Sequence, residues 1–229
     1  MTEDIRAFQE TVWEYYRQHG RDDLPWRQPE ADGTFDPYKI MVSELMLQQT
    51  QVLRVWPKFE SFIARFPALT DLATASLGDV LTEWSGLGYN RRAKFLWQAA
   101  GVVAAEYGGQ LPRSHAELVA LPGIGPNTAG AIRTYAFNEP VVFVETNIRT
   151  VFIHHFFADE SEVSDKALIP YIEAAIPPHE ARDWYWRLWI TERTSSRQSV
   201  THPGLVRHMQ SSQRSKVRVV KFEVRFSGY

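Results

Sequence analysis

Residues 121–132 read LPGIGPNTAGAI. A Leu-Pro pair precedes Gly-x-Gly, and the chain then enters an apolar helical pattern. Glycine accepts backbone angles that a side chain forbids, so Gly123 and Gly125 allow a sharp turn between a helix ending at Leu121 and one starting near Asn127. Such a turn leaves backbone N–H groups pointing outward at a helix N-terminus, a geometry that holds a phosphate oxygen without a cationic side chain. The glycines alone serve equally well in an ordinary connection between two helices.

Working outward, apolar spacing near 3.6 dominates. Ile5, Phe8, Val12 and Tyr16 mark a first helix, and residues 21–38 are loop-like, with Pro25, Pro29, Gly33 and Pro37. Tyr38 to Val52 reads as a helix, and Pro57 falls where a helix starts or kinks. Further helices are predicted over 59–66, 70–75, 77–84, 90–107, 115–120, 126–137, 145–157, 164–175 and 179–190. Val141–Val144 is a short β-branched run without a partner strand. The fold class predicted is all-α, built from many short helices.

Composition narrows the function. The 229 residues are 44% hydrophobic and include no cysteine, so disulfides, thiolate zinc and cysteine-ligated iron–sulfur clusters are excluded. No apolar run is long enough for a membrane span, and the acidic, amphipathic start lacks the pattern of a signal peptide, so a cytoplasmic protein is expected. Net charge is −2, but from Arg187 onward there are nine Lys/Arg and two Asp/Glu. A basic tail can track a nucleic-acid backbone or be a solvated end. Helical periodicity fades from Gln198, and SKVRVVKFEVRF alternates like an edge strand or an extended arm.

Four further blocks carry candidate chemistry. Leu24-Pro25-Trp26-Arg27 sets an aromatic ring and a cation at the end of a loop. In SELMLQQTQV, residues 43–52, Glu44 sits among core-facing residues, where a carboxyl holds its proton nearer neutrality. Gln48 and Gln49 follow, with polar side chains able to fill a gap in a base stack. In GLGYNRRAKFL, residues 86–96, Tyr89 stands beside Arg91, Arg92 and Lys94, which suits a phosphate backbone with a base to stack on. In VFVETNIRTVF, residues 142–152, polar Glu145, Thr146 and Asn147 interrupt an apolar run, so they line a site or cap a helix, with Thr146 or Asn147 as the N-cap.

LPWR, PYKIMVSELMLQQTQV, GLGYNRRA and LPGIGPNTAG, in this order and spacing, resemble the helix–hairpin–helix (HhH-GPD) DNA glycosylases over residues 5–186. The similarity is nearest to the MutY-type adenine mismatch enzymes, with endonuclease III more distant. The resemblance implies two interleaved helical lobes in residues 1–186 with DNA in the cleft between them, and an atypical tail, 187–229. It implies a monomer acting on double-stranded DNA that holds a mispaired or damaged base, with no membrane role. The target nucleotide is swung out of the duplex, because a stacked base is out of reach.

By the same resemblance, Glu44 protonates the departing adenine, and Glu145 falls where the family has the aspartate that stabilises the sugar cation. Leu24, Trp26, Arg27, Asn127 and Asn147 fall at the base pocket. Gln48, Gln49, Tyr89, Arg91 and Arg92 fall on the DNA side, Gln49 and Tyr89 as wedges. Gly123, Ile124, Gly125 and Thr128 make the phosphate-holding hairpin. Asn127 replaces the lysine of the strand-cleaving relatives, and an amide cannot form a Schiff base. The expected activity is therefore monofunctional release of adenine opposite guanine or 8-oxoguanine, without efficient strand cleavage. The alternatives are release of uracil or thymine opposite guanine, and lesion binding without catalysis.

The family's cluster cysteines are absent, so no metal or cofactor is expected and other packing must secure the region after the last core helix. After Trp184-Tyr185-Trp186 the family continues with a helix resembling AxMDxG, whereas this chain has RLWITERTSSR. One nucleotide string, CGGCTATGGATTACGGAACGCACCTCAAG, encodes RLWITERTS in one frame and AMDYGTHLK when shifted by two. A frameshift near residue 187, in the gene or its recorded sequence, is the expectation.

Overall fold

The computed structural model describes residues 2–19 and 23–188 and is built from helices, with no strand among the described residues. The expectations for the basic tail, its extended arm and the frameshift lie outside the described residues. Helix α1 spans Thr2–His19, and a single 3-10 turn follows at Pro25–Arg27. Then come α2 (Pro37–Leu47), α3 (Val52–Arg65), α4 (Leu69–Thr74), α5 (Leu77–Trp84), α6 (Arg91–Glu106), α7 (His115–Ala120) and α8 (Pro126–Phe137). The last three are α9 (Thr146–Phe156), α10 (Asp165–Ala175) and α11 (Ala181–Leu188).

Two groups of helices share one core. In the first, α2 packs on α3, α6 and α8, while α4 and α5 pack on α6. In the second, α1 packs on α10 and α11, and α9 packs on both α10 and α11. Helix α11 also touches α8 and joins the groups. Phe8 is the hinge of the second group, with its ring edge-on to Phe152, Phe156 and Trp184 at centroid distances of 4.9, 5.1 and 5.7 Å. The first and last helices of the described chain therefore lie side by side.

Local chemistry accounts for most helix ends. Asp36, Ser76, Ser114 and Ser164 each accept a backbone N–H from the first turn that follows, closing α2, α5, α7 and α10 at their N-termini. Two sequence expectations are corrected here. Pro57 neither starts nor ends a helix but lies inside α3. The Leu53 carbonyl that its missing N–H would have met lies on a residue more than half exposed, where solvent can satisfy it. The predicted helix over 38–52 breaks at Gln48, and residues 48–51 form a tight turn before α3.

The hairpin between α7 and α8 is the turn the sequence announces. The Ile124 N–H bonds the Leu121 carbonyl at 3.2 Å, and the buried Ile124 side chain anchors the turn to the core. Gly123 has φ +80, and an added Cβ there would sit 2.6 Å from the Cβ of Phe95 on α6. Gly125 needs no such freedom: its φ is −85 and open space surrounds its Cα, so that part of the sequence argument is corrected. Pro126 then opens α8, where its lack of an N–H costs nothing.

This contrast is testable by denaturant unfolding. Gly123→Ala should destabilise the fold by at least about 1–2 kcal/mol, from the left-handed backbone alone, with the Phe95 collision added. Gly125→Ala should cost about 1 kcal/mol or less, the loss of a neutral N-cap.

Candidate functional site

Two carboxylates from different helix groups meet where α2 faces the start of α9. Glu44 lies in the last two turns of α2, half-buried between Ser43 and Leu45, which are fully inside. Glu145 is the N-cap of α9, with extended backbone and no capping hydrogen bond from its side chain. Helix α9 thus starts at Thr146, and neither Thr146 nor Asn147 is the cap, as the sequence had allowed. Asn147 sits half-buried in the first turn, beside the positive end of the helix dipole that favours the Glu145 carboxylate.

Glu44 is surrounded unequally. Burial, and then the nearby Glu145 charge, push its carboxyl well above the usual carboxylate range, while Arg27 pulls it partly back. Burial also raises the Tyr135 hydroxyl well above its ordinary value, with the Glu145 and Glu44 charges adding to the effect. Tyr135, on α8, therefore feels both carboxylates. Its ring stacks on Trp186 of α11 at 5.7 Å and 12°, and Arg27 lies over the same indole at 5.5 Å. Arg27, Trp186 and Tyr135 form a layered wall beside the acid pair.

The segment 139–145, which delivers Glu145, lies outside any helix, opens with a tight turn in which the Val141 N–H donates to the Glu139 carbonyl at 2.8 Å, and is pinned by side chains. Tyr185 donates its hydroxyl to the Val141 carbonyl at 3.0 Å, and its ring stacks on Phe143 at 4.3 Å. From α8, Asn127 Nδ2 donates to the Val144 carbonyl at 2.9 Å, and the Val144 N–H returns to Asn127 Oδ1 at 3.5 Å. Thr134 Oγ1 donates to the Glu139 carbonyl at 3.0 Å. The residue just before Glu145 is thus held by a side-chain amide acting as a substitute strand.

The other expected site residues separate into two places. Leu24 is fully buried, and Trp26 is buried with its ring T-shaped to Phe59 at 5.4 Å, so both lie in the core. Gln48, Gln49 and Tyr89 lie on a rim formed by the turns before α3 and α6. Tyr89 is 63% exposed, Gln49 is exposed, and Gln48 Nε2 reaches Thr128 Oγ1 on α8 at 3.5 Å. Thr128 stands in the first turn of α8, next to the exposed Gly123 and Gly125. Arg91 is exposed and lies over the Phe95 ring at 5.0 Å.

Gln49 and Tyr89 share an uncommon backbone. Their φ angles are +54 and +48, and the one other non-glycine residue with positive φ among the described residues is Asn138. Asn tolerates that region, but a Gln or Tyr there is held against roughly 1–2 kcal/mol of strain. Arg92 corrects a sequence expectation. It does not face outward with Arg91 but is 9% exposed, and its guanidinium points into the protein. Nη1 donates to the carbonyls of Leu45, Met46 and Gln48 at 2.7, 3.0 and 2.5 Å. Nη2 donates to Thr50 Oγ1, the Leu87 carbonyl and the Gly88 carbonyl at 3.1, 3.4 and 3.3 Å.

Sequence reasoning missed Tyr135 and Trp186. Both sit at apolar helical spacings and read as core. The available signal was chemical: a Tyr on a buried face brings a hydroxyl that needs a polar neighbourhood. No group of three or more His, Asp or Glu among the described residues could hold a metal ion. The residues present do not fit a cysteine-ligated iron–sulfur cluster either, because the chain has no cysteine.

Residues 42–170 match the HhH-GPD superfamily of base excision DNA repair proteins. The chain is 38% identical over 172 residues to the adenine DNA glycosylase of Buchnera aphidicola subsp. Baizongia pistaciae, covering 75% of this chain and 48% of that protein. It is 39% identical over 160 residues to the adenine DNA glycosylase of Mycolicibacterium smegmatis, covering 70% of this chain and 53% of that protein. The chain therefore spans about half the length of the curated relatives it matches. Among solved structures, a thermostable thymine-DNA glycosylase superposes with a TM-score of 0.71 at 27% identity, over 82% of this chain and 85% of that one. With the matched family model running from α2 into α10 and including Glu44, the hairpin and Glu145, the chain belongs to the HhH-GPD superfamily of base excision DNA repair proteins.

Proposed function

We propose that this chain is the catalytic core of a monofunctional DNA glycosylase that releases adenine mispaired with guanine or 8-oxoguanine. The observation that carries the reading is the pairing of Glu44, held toward its protonated form, with Glu145 at the positive end of α9. An acid and a carboxylate in one place, with different protonation states, are what cleavage of an N-glycosidic bond requires.

The steps follow from that asymmetry. A base swung out of the duplex meets Glu44, which gives its proton to a ring nitrogen of the adenine. The C1′–N bond then breaks and its electron pair leaves with the neutral base. The sugar is left as an oxocarbenium ion, whose positive charge the Glu145 carboxylate stabilises. Water adds to C1′, and its proton returns to the Glu44 carboxylate. Arg27 limits how far the Glu44 carboxyl rises, so the acid can cycle. Gln49 and Tyr89 enter the duplex from the exposed rim, and the hairpin at 121–125 holds a backbone phosphate through its N–H groups.

Asn127 supports hydrolysis over strand cleavage. Its amide has no nucleophilic nitrogen, and both of its polar atoms are engaged by Val144. A second reading is release of thymine or uracil opposite guanine, favoured by the likeness to the thymine-DNA glycosylase structure. A third is lesion binding without turnover, since Glu145 carries its carboxylate on a longer arm than the family's aspartate.

Single-turnover release from duplexes with adenine opposite 8-oxoguanine, adenine opposite guanine, and thymine or uracil opposite guanine separates the three. The expected result is abasic product from the adenine duplexes, with strand breaks only after alkali. Glu44→Gln and Glu145→Gln should each slow release by about a hundredfold or more while leaving binding intact. Product from thymine or uracil duplexes alone moves the assignment to the second reading. Binding without product from any duplex, unchanged by Glu145→Asp, moves it to the third.

Glu44→Gln also carries a pH signature. A carboxyl raised by folding binds its proton more tightly in the native state, so it costs stability as pH climbs from its ordinary value of 4.5 toward its raised value. The variant should gain about 0.5–2 kcal/mol over wild type near pH 7, and the gain should vanish below pH 4. Equal stability of the two proteins at both pH values would contradict the raised carboxyl.

Asn127→Lys tests the clamp on Val144. Loss of the two-point amide contact should lower the rate of base release about tenfold or more, because misplacing a catalytic group by about 1 Å is costly. Trapping the reaction with borohydride shows whether the new amine forms a covalent intermediate at C1′. Unchanged base release would show that the clamp does not position Glu145.

A further inference from the structure

Arg92 has more bonds than packing requires and the wrong surroundings for a simple ion pair. Its six acceptors are five backbone carbonyls and one hydroxyl, and no carboxylate faces it among its described partners. The acceptors fall in two sets. Leu45, Met46, Gln48 and Thr50 belong to the end of α2 and the turn after it, and Leu87 and Gly88 belong to the turn before α6. The first set brackets Gln49 and the second immediately precedes Tyr89. Each of these two residues carries the unfavourable positive φ.

The placement makes physical sense. The last carbonyls of α2 have no intrahelical partners and carry the negative end of its dipole, which favours a cation. A planar guanidinium is the side chain that can reach acceptors in two directions at a fixed angle, whereas an ammonium group is a point donor. The Trp84 ring lies 5.6 Å from the guanidinium and its Nε1 also donates to the Gly88 carbonyl at 3.1 Å, so the second turn is held twice. The Tyr89 ring lies 5.3 Å from the guanidinium, which links the exposed aromatic directly to the clamp.

We propose that Arg92 is a positioning residue that locks the Gln49 and Tyr89 turns to each other, so that the two side chains meet the duplex as one preformed two-pronged wedge. The proposal rests on the glycosylase reading, in which Gln49 and Tyr89 enter the DNA. Holding both turns strained before DNA arrives moves the ordering cost out of the extrusion step. The wedge then acts on base extrusion, ahead of the chemistry at Glu44 and Glu145. Arg92 touches neither carboxylate in its described bonds, so its effect is on the supply of extruded base.

The test uses the full chain and a duplex with 2-aminopurine beside an adenine opposite guanine, whose fluorescence rises when the adenine leaves the stack. Stopped-flow fluorescence, duplex affinity, single-turnover release and thermal unfolding are measured for Tyr89→Ala, Gln49→Ala, Arg92→Lys, Thr50→Val and the Arg92→Lys/Tyr89→Ala pair. Arg92→Lys should slow the fluorescence rise about tenfold to a hundredfold while affinity changes by about threefold or less. The pair should be no slower than the slower single variant, because both changes disable one device. Thr50→Val removes one of the six bonds, together with the Thr50 Oγ1 bond to the Gln48 carbonyl at 3.2 Å in the same turn, without changing charge, and it should slow the same phase by about threefold.

Effects of Arg92→Lys and Tyr89→Ala that multiply would overturn the proposal, as would an Arg92→Lys variant with an unchanged fluorescence phase. If Arg92→Lys unfolds, Thr50→Val decides alone, and a wild-type extrusion rate in it overturns the proposal. Silence of both Tyr89→Ala and Gln49→Ala would remove the wedge itself and the proposal with it. That outcome is distinct from failure of the clamp, in which the wedge variants are slow and Arg92→Lys is not.

Discussion

The constraint on which this structure turns is the juxtaposition of two carboxylates, Glu44 and Glu145, contributed by different helix groups. Like charges in a half-buried place repel, and the fold must carry that cost. Two fixed features ease it, the dipole of α9 under Glu145 and the Arg27 charge beside Glu44, and what remains pushes the Glu44 carboxyl well above its usual range. A carboxyl raised in this way holds its proton more tightly than an exposed one.

Keeping that pair in register is a backbone problem, because Glu145 ends a segment that lies in no helix and pairs with no strand among the described residues. The chain solves it with side chains that imitate a sheet. Asn127 offers Val144 both a donor and an acceptor, as a neighbouring strand would, and Tyr185 takes up the Val141 carbonyl. Residue 127 therefore decides two things through one amide. It offers an amide and no amine, and it bonds the backbone of the residue directly before Glu145.

Much of this was legible in the sequence, for reasons that differ by residue. The hairpin was legible because Gly123 occupies a backbone region that side chains avoid, and the helices because their apolar spacing matches one period. Glu44 and Glu145 stood out as carboxylates inside apolar runs. Arg92 was misread because spacing places a residue on a helix end but does not say which way a long side chain turns. Its neighbour Arg91 does face outward, and the two are indistinguishable by composition. Tyr135 and Trp186 were invisible for a related reason: an aromatic ring at a core spacing satisfies the pattern whether it packs against leucine or against a reacting group. Pro57 shows the converse, since solvent access at Leu53 lets a helix hold inside it a residue that the pattern places at a start or a kink.

Helix α11 brings Trp186 beside the two carboxylates, so what secures it bears on the site. The answer lies in cations laid on aromatic faces. Arg182 sits 4.0 Å from the Phe35 ring while donating to the Tyr135 and Ala136 carbonyls at 2.5 and 3.0 Å. Arg187 lies 3.4 Å from the centre of the Trp13 ring. The first contact fastens α11 to the end of α8 and to the loop before α2, and the second fastens it to α1. Each cation also covers apolar surface with its methylene stem, so packing and charge act together. Arg182 bonds the carbonyl of Tyr135 itself, so the fastening that holds the helix in place also fixes the tyrosine beside the two carboxylates. In this protein the support of α11 and the placement of Tyr135 come from the same few side chains.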